Sequence, residues 1–538
     1  MSRNDFAKLP LGYSDFVRLR EENCVYVDKT ALIYQLCAEG NRIFISRPRR
    51  FGKSLLTSTF ESLFKYGLRD FQGLAIEKLW KDKTYDVVHL DFSEIREFSD
   101  KDDFELQFDH LLLSNFGAVG FPYDEKKGFP LVQISAWLAT LPVSSLVILI
   151  DEYDAPLTNC LGNPALFNDV RRIMSSFFLK LKARDRCLRF SFMTGITKYR
   201  QTSIFSELNN FDDISLNPEY GTLIGLTESE IRENFEAFIQ KAGTALRISA
   251  SEVMDGLREN YDGFCFDEEA SQHVFCPWSV LNFFKYPERG FRNYWYESGG
   301  QPTVLMKYLA NHALEEPMSF AEAKQIRVSE LGAARKYDDI GLEALLAQAG
   351  YLTIRSVRPN GYAVLGYPNK EVSVSMAELY ANELLRGRPL EGIDEPLIAE
   401  VLASGSTEEV VRRFNEALNA IDYMRFPIRD EASCRAYLQV LLIGAAMLPK
   451  VEIHTALGRS DLEVESGSRH WVFEIKFSET GEDAAGLLTE ALGQMRTRRY
   501  GETPHGKTLI RAALVFSGKE RRFVRWEEAQ SPGSEPIH

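Results

Sequence analysis

The segment RPRRFGKS, Arg47 to Ser54, constrains the fold more than any other feature of the chain. It follows the apolar run Ile43-Phe44-Ile45 and precedes a helical pattern from Leu55 to Tyr66. A strand, a tight loop ending in Gly-Lys-Ser and a helix are the layout of a phosphate-binding loop, because N–H groups at the helix start can bind phosphate oxygens. The loop therefore predicts a nucleotide-binding domain. The alternative is a basic surface turn before a helix.

This loop supplies most of the candidate nucleotide-binding residues. Lys53 would reach the β and γ phosphates, and the Ser54 hydroxyl would hold Mg²⁺. The general pattern begins with a Gly where this chain has Arg47, followed by Pro48, so the loop must turn differently. The candidate cofactor-binding residues are Arg49, Arg50, Phe51, Gly52, Lys53, Ser54, Leu55 and Thr194.

A second element is the unbroken apolar run Leu146 to Ile150, which ends in Asp151 and Glu152. Such a run fits a strand buried on both faces of a parallel sheet, and open α/β sheets bind ligands at the C-terminal ends of their strands. Asp151 would hold Mg²⁺, and Glu152 would polarise the attacking water as a catalytic residue. The alternative is an acidic strand end that serves only solvation.

Two further strands fit the same sheet. The run Leu188 to Met193 leads into Thr194, which would sense the γ-phosphate or cap a turn, and Val87 to Asp91 is another apolar strand ending in an acid. Strands that alternate with helical stretches predict an α/β fold with a parallel sheet covered on both faces.

The C-terminal segment contains a second group of candidate residues. The run GRSDLEVE, Gly458 to Glu465, is followed by a turn and by WVFEIKF, Trp471 to Phe477. Strand alternation places Glu474 and Lys476 on one face, and a hairpin would bring Asp461 beside Glu474. Two carboxylates and a backbone carbonyl can hold Mg²⁺ or Mn²⁺, which prefer oxygen ligands.

Lys476 adds what a phosphodiester-cleaving site needs, because it would orient the attacking water or stabilise charge on phosphorus. Asp461, Glu474 and Lys476 are therefore candidate catalytic residues, and Asp461 and Glu474 are also candidate metal ligands. Glu431, which begins a helix predicted to run to Leu448, is a further acidic candidate. The alternative is an ordinary amphipathic hairpin whose Glu and Lys face water.

A helix predicted from Ala485 to Tyr500 places Gln494 and Arg498 on one face. They would contact the scissile backbone or simply face solvent.

The chain has 538 residues, too many for one hydrophobic core, which indicates about three domains. Its longest apolar runs fall short of the roughly 18 residues that span a bilayer, and the N-terminus has no apolar signal core. Seven scattered cysteines without CxxC pairs are typical of a reduced, cytoplasmic protein. The net charge of −14 is unfavourable for non-specific binding to nucleic acid but compatible with a local basic groove.

The pattern along the chain divides it into four predicted segments. A nucleotide domain covers 1–226, and a helical, aromatic-rich lid covers 227–320, beginning with a capping pattern at Thr227 and Glu230. A helix from Asp339 to Ala349 and a hairpin around Asn360-Gly361 suggest a winged-helix-like connector over 321–420. The last domain covers 421–538. The aromatic residues of the lid are expected in its core rather than as base-stacking platforms.

With these residues assembled, the chain resembles a bacterial and archaeal family that joins an AAA-ATPase-like domain to a C-terminal PD-(D/E)XK nuclease superfamily domain. The resemblance rests on motifs spread over most of the chain, with a weaker match from about 300 to 420. The motifs are YVDKT, SRPRRFGKS, LIDEYDAPL, TGITKYRQTSIFSELNN, YDGFCF, CPWSVLNFF, GRSDL and FEIKF.

The resemblance implies a P-loop NTPase domain and a C-terminal PD-(D/E)XK nuclease-like domain. Together with the pattern along the chain, the predicted fold is α/β: a P-loop NTPase parallel sheet with a helical lid, a winged-helix-like connector and a C-terminal α/β PD-(D/E)XK nuclease-like domain. It implies ATP binding through Lys53, Ser54, Asp151 and Glu152, and a nuclease triad in the C-terminal domain. The family's variant phosphate loop, which lacks the leading Gly, is similar to the loop here. One departure is Arg435, which stands where the family often has a His.

The expected function is an ATPase that regulates or drives a metal-dependent nuclease, with ATP and Mg²⁺, or Mn²⁺ at the nuclease site, as cofactors. DNA or RNA is the expected partner, a membrane is not, and a homo-oligomer is compatible with the sequence, with Arg200 as a candidate arginine finger. The competing hypothesis is a nucleotide-switched binding or signalling protein whose nuclease fold does not cut. A third hypothesis, an ATPase acting on proteins, has no substrate-pore motif to support it.

Overall fold

The computed structural model describes most of the chain. The described ranges are 8–95, 97–198, 210–297, 324–331, 341–384, 397–421, 423–424, 426–445, 447, 449–455, 458–498 and 506–529. Arg200 lies outside them, as does most of the segment TGITKYRQTSIFSELNN after Lys198. The prediction of an arginine finger at Arg200 therefore concerns a residue outside the described part of the chain.

The N-terminal domain is built on a five-stranded sheet in the order β2-β3-β4-β1-β5, in which every paired strand is parallel. Its strands are β1 Arg42–Ser46, β2 Asp86–Asp91, β3 Leu146–Asp151, β4 Leu188–Gly195 and β5 Asp212–Asp213. The prediction of a parallel α/β sheet is confirmed. Because β4 lies between β1 and β3, the ends of these three strands meet at one edge of the sheet.

Helices cover this sheet, so the strands β1 and β3 are buried at every position. The helix Lys53–Tyr66 places Phe60 against Phe190 and Phe192 of β4, with ring centroids 5.1 and 4.8 Å apart. The helices of this domain are Phe16–Glu21, Thr30–Glu39, Lys53–Tyr66, Lys101–Ala118, Pro130–Leu138, Ala155–Asn159 and Pro164–Ala183.

A helical segment follows β5, and it has its own apolar core. Thr227 begins the first helix as predicted: its hydroxyl accepts a hydrogen bond from Glu230 N, and the Glu230 carboxylate accepts one from Thr227 N. Aromatic residues such as Tyr261, Phe275 and Phe283 are buried in this core, as expected. The helices are Glu228–Asn234, Glu236–Leu246, Ala250–Tyr261, Pro277–Lys285 and Tyr294–Glu297.

A small antiparallel sheet in the order β6-β8-β7 comes next. Its strands are β6 Lys324–Arg327, β7 Thr353–Val357 and β8 Tyr362–Gly366, and the neighbouring helices are Val328–Leu331, Leu342–Ala349 and Lys370–Leu384. The hairpin between β7 and β8 is confirmed, and Gly361 adopts the positive φ of 78° that its turn requires. The winged-helix assignment of this region stays a prediction.

The C-terminal domain contains a mixed sheet in the order β13-β12-β11-β10-β9. Its strands are β9 Lys450–Thr455, β10 Gly458–Ser466, β11 Arg469–Ser478, β12 Thr508–Ser517 and β13 Arg522–Glu528. Only the pair β11–β12 is parallel among the pairings of this sheet. The helices are Ile398–Ser404, Thr407–Asn419, Glu431–Gly444 and Ala484–Arg498.

Strand β11 is buried because both of its faces are covered. On one face Val472 packs with Ala491 and Met495 of the helix Ala484–Arg498. On the other face Phe473 contacts Phe414 of the helix Thr407–Asn419, with ring centroids 5.4 Å apart. Strand alternation, which the sequence predicted for this run, thus separates an apolar face from the face that carries the candidate site.

The contacts divide the chain into two compact units, and the division falls inside the helix Lys370–Leu384, after Val372. The four predicted segment boundaries stay predictions. All seven cysteines are buried. Among the described residues, no helix has the length and apolar character needed to cross a membrane.

Candidate functional site

The loop between β1 and the helix Lys53–Tyr66 turns on two residues with positive φ, Arg50 at 71° and Gly52 at 102°. Gly52 caps the helix, and a Cβ added there would meet only Ile224 Cγ2, at 3.9 Å. The left-handed backbone, rather than lack of space, therefore requires glycine at this position. The helix N-terminus with its N–H groups opens directly after this turn.

Arg47 stands at the position of the leading glycine, and its side-chain contacts stabilise the loop without that glycine. Its side chain is buried and donates hydrogen bonds to Ser46 O at 2.9 Å, Ser215 O at 2.6 Å and Tyr220 O at 3.3 Å. The guanidinium also lies over the ring of Phe266, 4.5 Å from its centroid. Burial lowers the pKa of Arg47 to about 9. The loop is thus held by a long side chain that reaches across the fold.

Two more loop residues contact the helical segment. Arg50 donates to Tyr294 O at 3.2 Å and lies 4.9 Å from the ring centroid of Trp278. Phe51 is buried, and its ring centroid is 4.8 Å from that of Phe264. These contacts tie the phosphate loop to the segment predicted as a lid.

Lys53 stands at the N-terminus of its helix, as predicted. Its ammonium group is buried and donates to Arg47 O at 3.1 Å and Pro48 O at 3.0 Å. Burial lowers the pKa of Lys53, while the nearby carboxylates of Glu152 and Asp151 act in the opposite direction. Phosphate oxygens could replace the two loop carbonyls as acceptors, because they carry negative charge and attract the ammonium group more strongly than a neutral carbonyl does.

Asp151 ends strand β3 and is buried. The Ser54 hydroxyl is near enough to its carboxylate to lower the pKa of Asp151, so the structure brings together the two residues predicted to hold Mg²⁺. Burial raises the pKa of Asp151, and the neighbouring Asp91 adds to the rise, while Ser54 and Lys53 lower it. A carboxylate and a hydroxyl are oxygen ligands of the kind Mg²⁺ prefers.

Glu152, the predicted catalytic residue, follows with a positive φ of 47°. Burial raises its pKa, although the charge of Lys53 opposes the rise. A glutamate in the left-handed region is strained, and such strain is typical of functional sites.

Thr194 is completely buried at the end of β4, and within the described part of the chain its Oγ1 has no hydrogen-bond partner. Neither Thr194 nor Asp151 is among the residues that line the cavity described next. Two residues that sequence reasoning did not single out, Tyr153 and Asp154, connect the ends of β3 and β4 through hydrogen bonds.

A cavity of about 710 Å³ opens over the phosphate loop. Its lining includes the polar residues Lys53, Ser54 and Glu152 and apolar or aromatic residues such as Val25 and Trp278. Arg49, Arg50, Phe51, Gly52 and Leu55 also line it. Ligand pockets have volumes of roughly 300–1,000 Å³, so this cavity is large enough for a nucleotide.

In the C-terminal domain, the pairing of β10 with β11 matches Leu462 to Phe473, and Asp461 and Glu474 are the next residues beyond this pair. Asp461 is near enough to Glu474 for its charge to raise the pKa of Glu474, so the two predicted ligands lie near each other. Asp461 Oδ2 accepts a hydrogen bond from Ile475 N at 2.8 Å. Its other oxygen, Oδ1, lies 3.4 Å from the Arg435 guanidinium. Arg435 thus offers a positive charge to one of the candidate metal ligands.

Glu474 is buried, and its Oε2 has no hydrogen-bond partner among the described residues. Burial raises its pKa to about 8, the Asp461 carboxylate adds to the rise, and the charges of Lys476 and Arg498 oppose it. An unpaired buried carboxylate oxygen is costly, and a bound cation would satisfy it. The donor chemistry of Asp461 and Glu474 therefore fits a hard cation.

Lys476 lies between acidic side chains. Its Nζ is 3.7 Å from both Glu474 Oε1 and Glu431 Oε1 and 3.8 Å from Glu490 Oε1. Glu490 was missed in the sequence, although it precedes Gln494 by one helical turn and accepts a hydrogen bond from it at 2.9 Å. The same four-residue spacing that singled out Gln494 and Arg498 would have found it.

In the described ranges, no three His, Cys, Asp or Glu side chains come together in an arrangement that could hold a metal ion. The two predicted ligands Asp461 and Glu474 are adjacent, whereas Glu431 contacts Lys476 rather than completing a three-carboxylate set. Metal binding here would therefore need ligands beyond these side chains, such as backbone carbonyls or water.

Two regions of the chain match known protein families. Residues 10–205 match the family model described as a predicted AAA-ATPase, and residues 432–526 match the PD-(D/E)XK nuclease superfamily. An uncharacterized protein in the vnfD 5′ region of Azotobacter chroococcum mcd 1 is 32% identical, over 96% of this chain and 98% of its own length. The chain belongs to this AAA-ATPase-like family. It joins an AAA-ATPase-like domain to a PD-(D/E)XK nuclease superfamily domain.

The two matched regions of this AAA-ATPase-like protein contain all of the predicted site residues except Glu431. The phosphate loop, Asp151, Glu152 and Thr194 lie in the first, and Asp461, Glu474 and Lys476 lie in the second. Glu431 stands one residue before the second region.

Proposed function

We propose that this protein binds and hydrolyses ATP and that its nucleotide state regulates a metal-dependent nuclease acting on DNA or RNA. The cavity over the phosphate loop carries the proposal, because its lining combines Lys53, Ser54 and Glu152, which suit phosphates, with apolar and aromatic residues that suit a base. Defence against foreign nucleic acid or nucleic-acid processing would suit this combination of domains.

In the ATPase half, the N–H groups after Gly52 would bind the β-phosphate, and Lys53 would exchange its two loop carbonyls for phosphate oxygens. Ser54 and Asp151 would hold Mg²⁺, which when bound neutralises phosphate charge. Glu152 would accept the proton of the water that attacks the γ-phosphorus, and its pKa, raised by burial, supports this role.

In the nuclease half, Asp461 and Glu474 would hold Mg²⁺ or Mn²⁺, which when bound acidifies water and neutralises the scissile phosphate. The free Oε2 of Glu474 supports its role as a ligand. Lys476 would leave its carboxylate neighbours to orient the attacking water or to stabilise charge on phosphorus. Arg498 is close enough to Glu474 to lower its pKa and would contact the nucleic-acid backbone.

Cleavage assays test the proposal. The purified protein is incubated with labelled single- and double-stranded DNA and RNA, with Mg²⁺ or Mn²⁺, and with and without ATP. We expect a metal-dependent product whose amount changes with ATP. Asp461→Ala and Lys476→Ala should abolish it, and Lys53→Ala should abolish ATP binding and the effect of ATP.

Matched variants control for loss of charge alone. Glu520, an exposed carboxylate paired with Arg522, is replaced by Gln, and Lys65, on the same helix as Lys53, is replaced by Ala. Both should behave like the parent protein. If Asp461→Ala cuts as fast as the parent, the nuclease assignment is wrong.

A second candidate function is a nucleotide-switched binding or signalling protein whose nuclease fold grips nucleic acid or a partner without cutting it. The contact of Arg435 with Asp461 favours it, because a guanidinium at a ligand oxygen competes with a metal ion. ATP turnover without cleavage of any substrate under any of the conditions above would support this second function.

A further inference from the structure

A set of hydrogen bonds joins the chain after β3 to the chain after β4, and we call it the β3–β4 staple. It consists of Tyr153 and Asp154 on one side and Thr194 to Thr197 on the other. Tyr153 N donates to Thr194 O at 3.0 Å, and the Tyr153 hydroxyl donates to Thr197 O at 2.7 Å. Asp154 accepts from Ile196 N at 3.2 Å and from Thr197 N at 2.7 Å.

Asp154 is the centre of this staple. Its side chain is 3% exposed, and its carboxylate is satisfied by backbone N–H groups of the neighbouring loop. A Cβ added at Gly195 would lie 2.6 Å from Asp154 Oδ1 and 2.6 Å from Tyr153 Cδ1. The segments after β3 and after β4 are therefore in such close contact that one has no room to move relative to the other.

The staple lies next to the strained residue of the site. Glu152 has φ of 47°, and a strained backbone persists only where its surroundings determine it fully. Asp151 before it belongs to the sheet, and Tyr153 after it belongs to the staple. Ala155 N also donates to Glu152 O, at 3.0 Å. The staple thus removes the freedom by which Glu152 would relax to a negative φ.

We propose that Asp154 is a positioning residue for ATP hydrolysis, which holds Glu152 in the strained conformation that directs its carboxylate into the nucleotide cavity. This inference rests on the proposed ATPase function. Asp154 is not among the residues that line the cavity, so it acts through Glu152 and not by touching the nucleotide. Its loss should therefore lower kcat while the affinity for ATP, set by the phosphate loop and the other residues that line the cavity, stays nearly unchanged.

The test compares Asp154→Asn with the parent in ATP titrations of hydrolysis and in binding of a fluorescent ATP analogue. Asn keeps the size of the side chain but places an NH₂ group against the backbone N–H groups, so the staple loosens. We expect kcat to fall about tenfold to a hundredfold, since a misplacement of about 1 Å can reduce a rate on the order of a hundredfold. KM and the dissociation constant should change less than about threefold. Tyr153→Phe, which removes one hydrogen bond of the staple, should lower kcat by a smaller factor.

Asp267→Asn is the matched control. Asp267 is also fully buried and accepts hydrogen bonds from backbone N–H groups, those of Glu269, Ser271 and Gln272, but it is not part of the staple. Asp267→Asn should be less stable than the parent but should keep its kcat, when both variants are assayed well below their unfolding temperatures.

The outcomes separate this inference from the function on which it rests. If the parent hydrolyses ATP and Asp154→Asn keeps the parental kcat, or loses it no more than Asp267→Asn, the positioning role is wrong and the ATPase function stands. If the parent neither binds nor hydrolyses ATP, the proposed function is wrong and this inference is wrong with it. A loss of kcat in Asp154→Asn with an unchanged dissociation constant supports both.

Discussion

Glu371, in the first turn of the helix Lys370–Leu384, makes a quantitative prediction about stability and pH. Its side chain is 2% exposed, and its carboxylate accepts hydrogen bonds from Ser279 Oγ at 2.8 Å and from Trp295 N at 2.8 Å. Burial raises its pKa from 4.5 to about 8, more than these hydrogen bonds and the charge of Arg50 lower it. We expect Glu371→Gln to remove a pH dependence that the parent shows.

The sign follows from proton binding. Between pH 4.5 and about 8 the folded protein keeps a proton on Glu371 that the unfolded chain has released. Stability from this group is therefore fully present below pH 4.5 and is lost as the pH rises toward 8. The slope is about 1.4 kcal/mol per pH unit, so from pH 5.5 to 7.5 the parent should lose roughly 2–3 kcal/mol relative to the uncharged Gln variant.

Urea unfolding at pH 5.5, 6.5 and 7.5, followed by tryptophan fluorescence, measures this difference. Trp295 N donates a hydrogen bond to Glu371, so the fluorescence of Trp295 reports on unfolding of the part of the protein that contains both residues. The control is Glu259→Gln, because Glu259 is 62% exposed and pairs with Lys370 at the start of the same helix. Glu259→Gln should follow the parent at every pH. Parallel curves for the parent and Glu371→Gln would refute the reasoning.

Three further predictions concern the two sites. Glu152→Gly should be more stable than Glu152→Ala by about 1 kcal/mol in urea unfolding, because glycine adopts the positive φ without strain. Both variants should lose ATP hydrolysis. Equal stabilities would show that the backbone is not strained. Gly195→Ala should destabilise the protein by roughly 1–3 kcal/mol, because its Cβ would lie 2.6 Å from Asp154 Oδ1. The control Gly117→Ala, in a helix with open space around it, should be neutral or stabilising. An unchanged thermal stability of Gly195→Ala would contradict the close approach. Binding of Mn²⁺ at pH 7 should release about 0.9 proton per ion from Glu474, whose pKa is about 8. Titration calorimetry in buffers of different ionisation enthalpy measures this release, and Glu474→Gln should show none. Binding of Mn²⁺ without proton release would exclude Glu474 as a ligand.

Much of the fold could be predicted from local patterns. Leu146 to Ile150 indicated a strand because a parallel strand buried on both faces must be apolar throughout, and β3 has these bounds extended by Asp151. The capping residues Thr227 and Glu230 marked a helix start because their hydrogen bonds are local. The hairpin that brings Asp461 near Glu474 followed from alternation and a short turn.

The supports of the candidate site could not be predicted in this way. Arg47 reaches Ser215, 168 residues away, and Asp154 reaches Thr197, 43 residues away. Glu371 and Ser279 are 92 residues apart. No periodicity connects such positions, because their contacts depend on how the elements pack. Glu490 is the exception, since its helical spacing with Gln494 was visible in the sequence.

The sequence by itself determined the residue types at the two sites: a Gly-Lys-Ser turn before a helix, acids at strand ends, and an acid, acid and lysine on one hairpin. These are local properties of the chain, because a turn, a helix start or a strand face is set by a few neighbouring residues. Only the tertiary structure decided that Arg47 anchors the phosphate loop, that Glu152 is held in a strained backbone and that Arg435 contacts Asp461. Burial and charge act across space, so they exist only once distant segments have packed together.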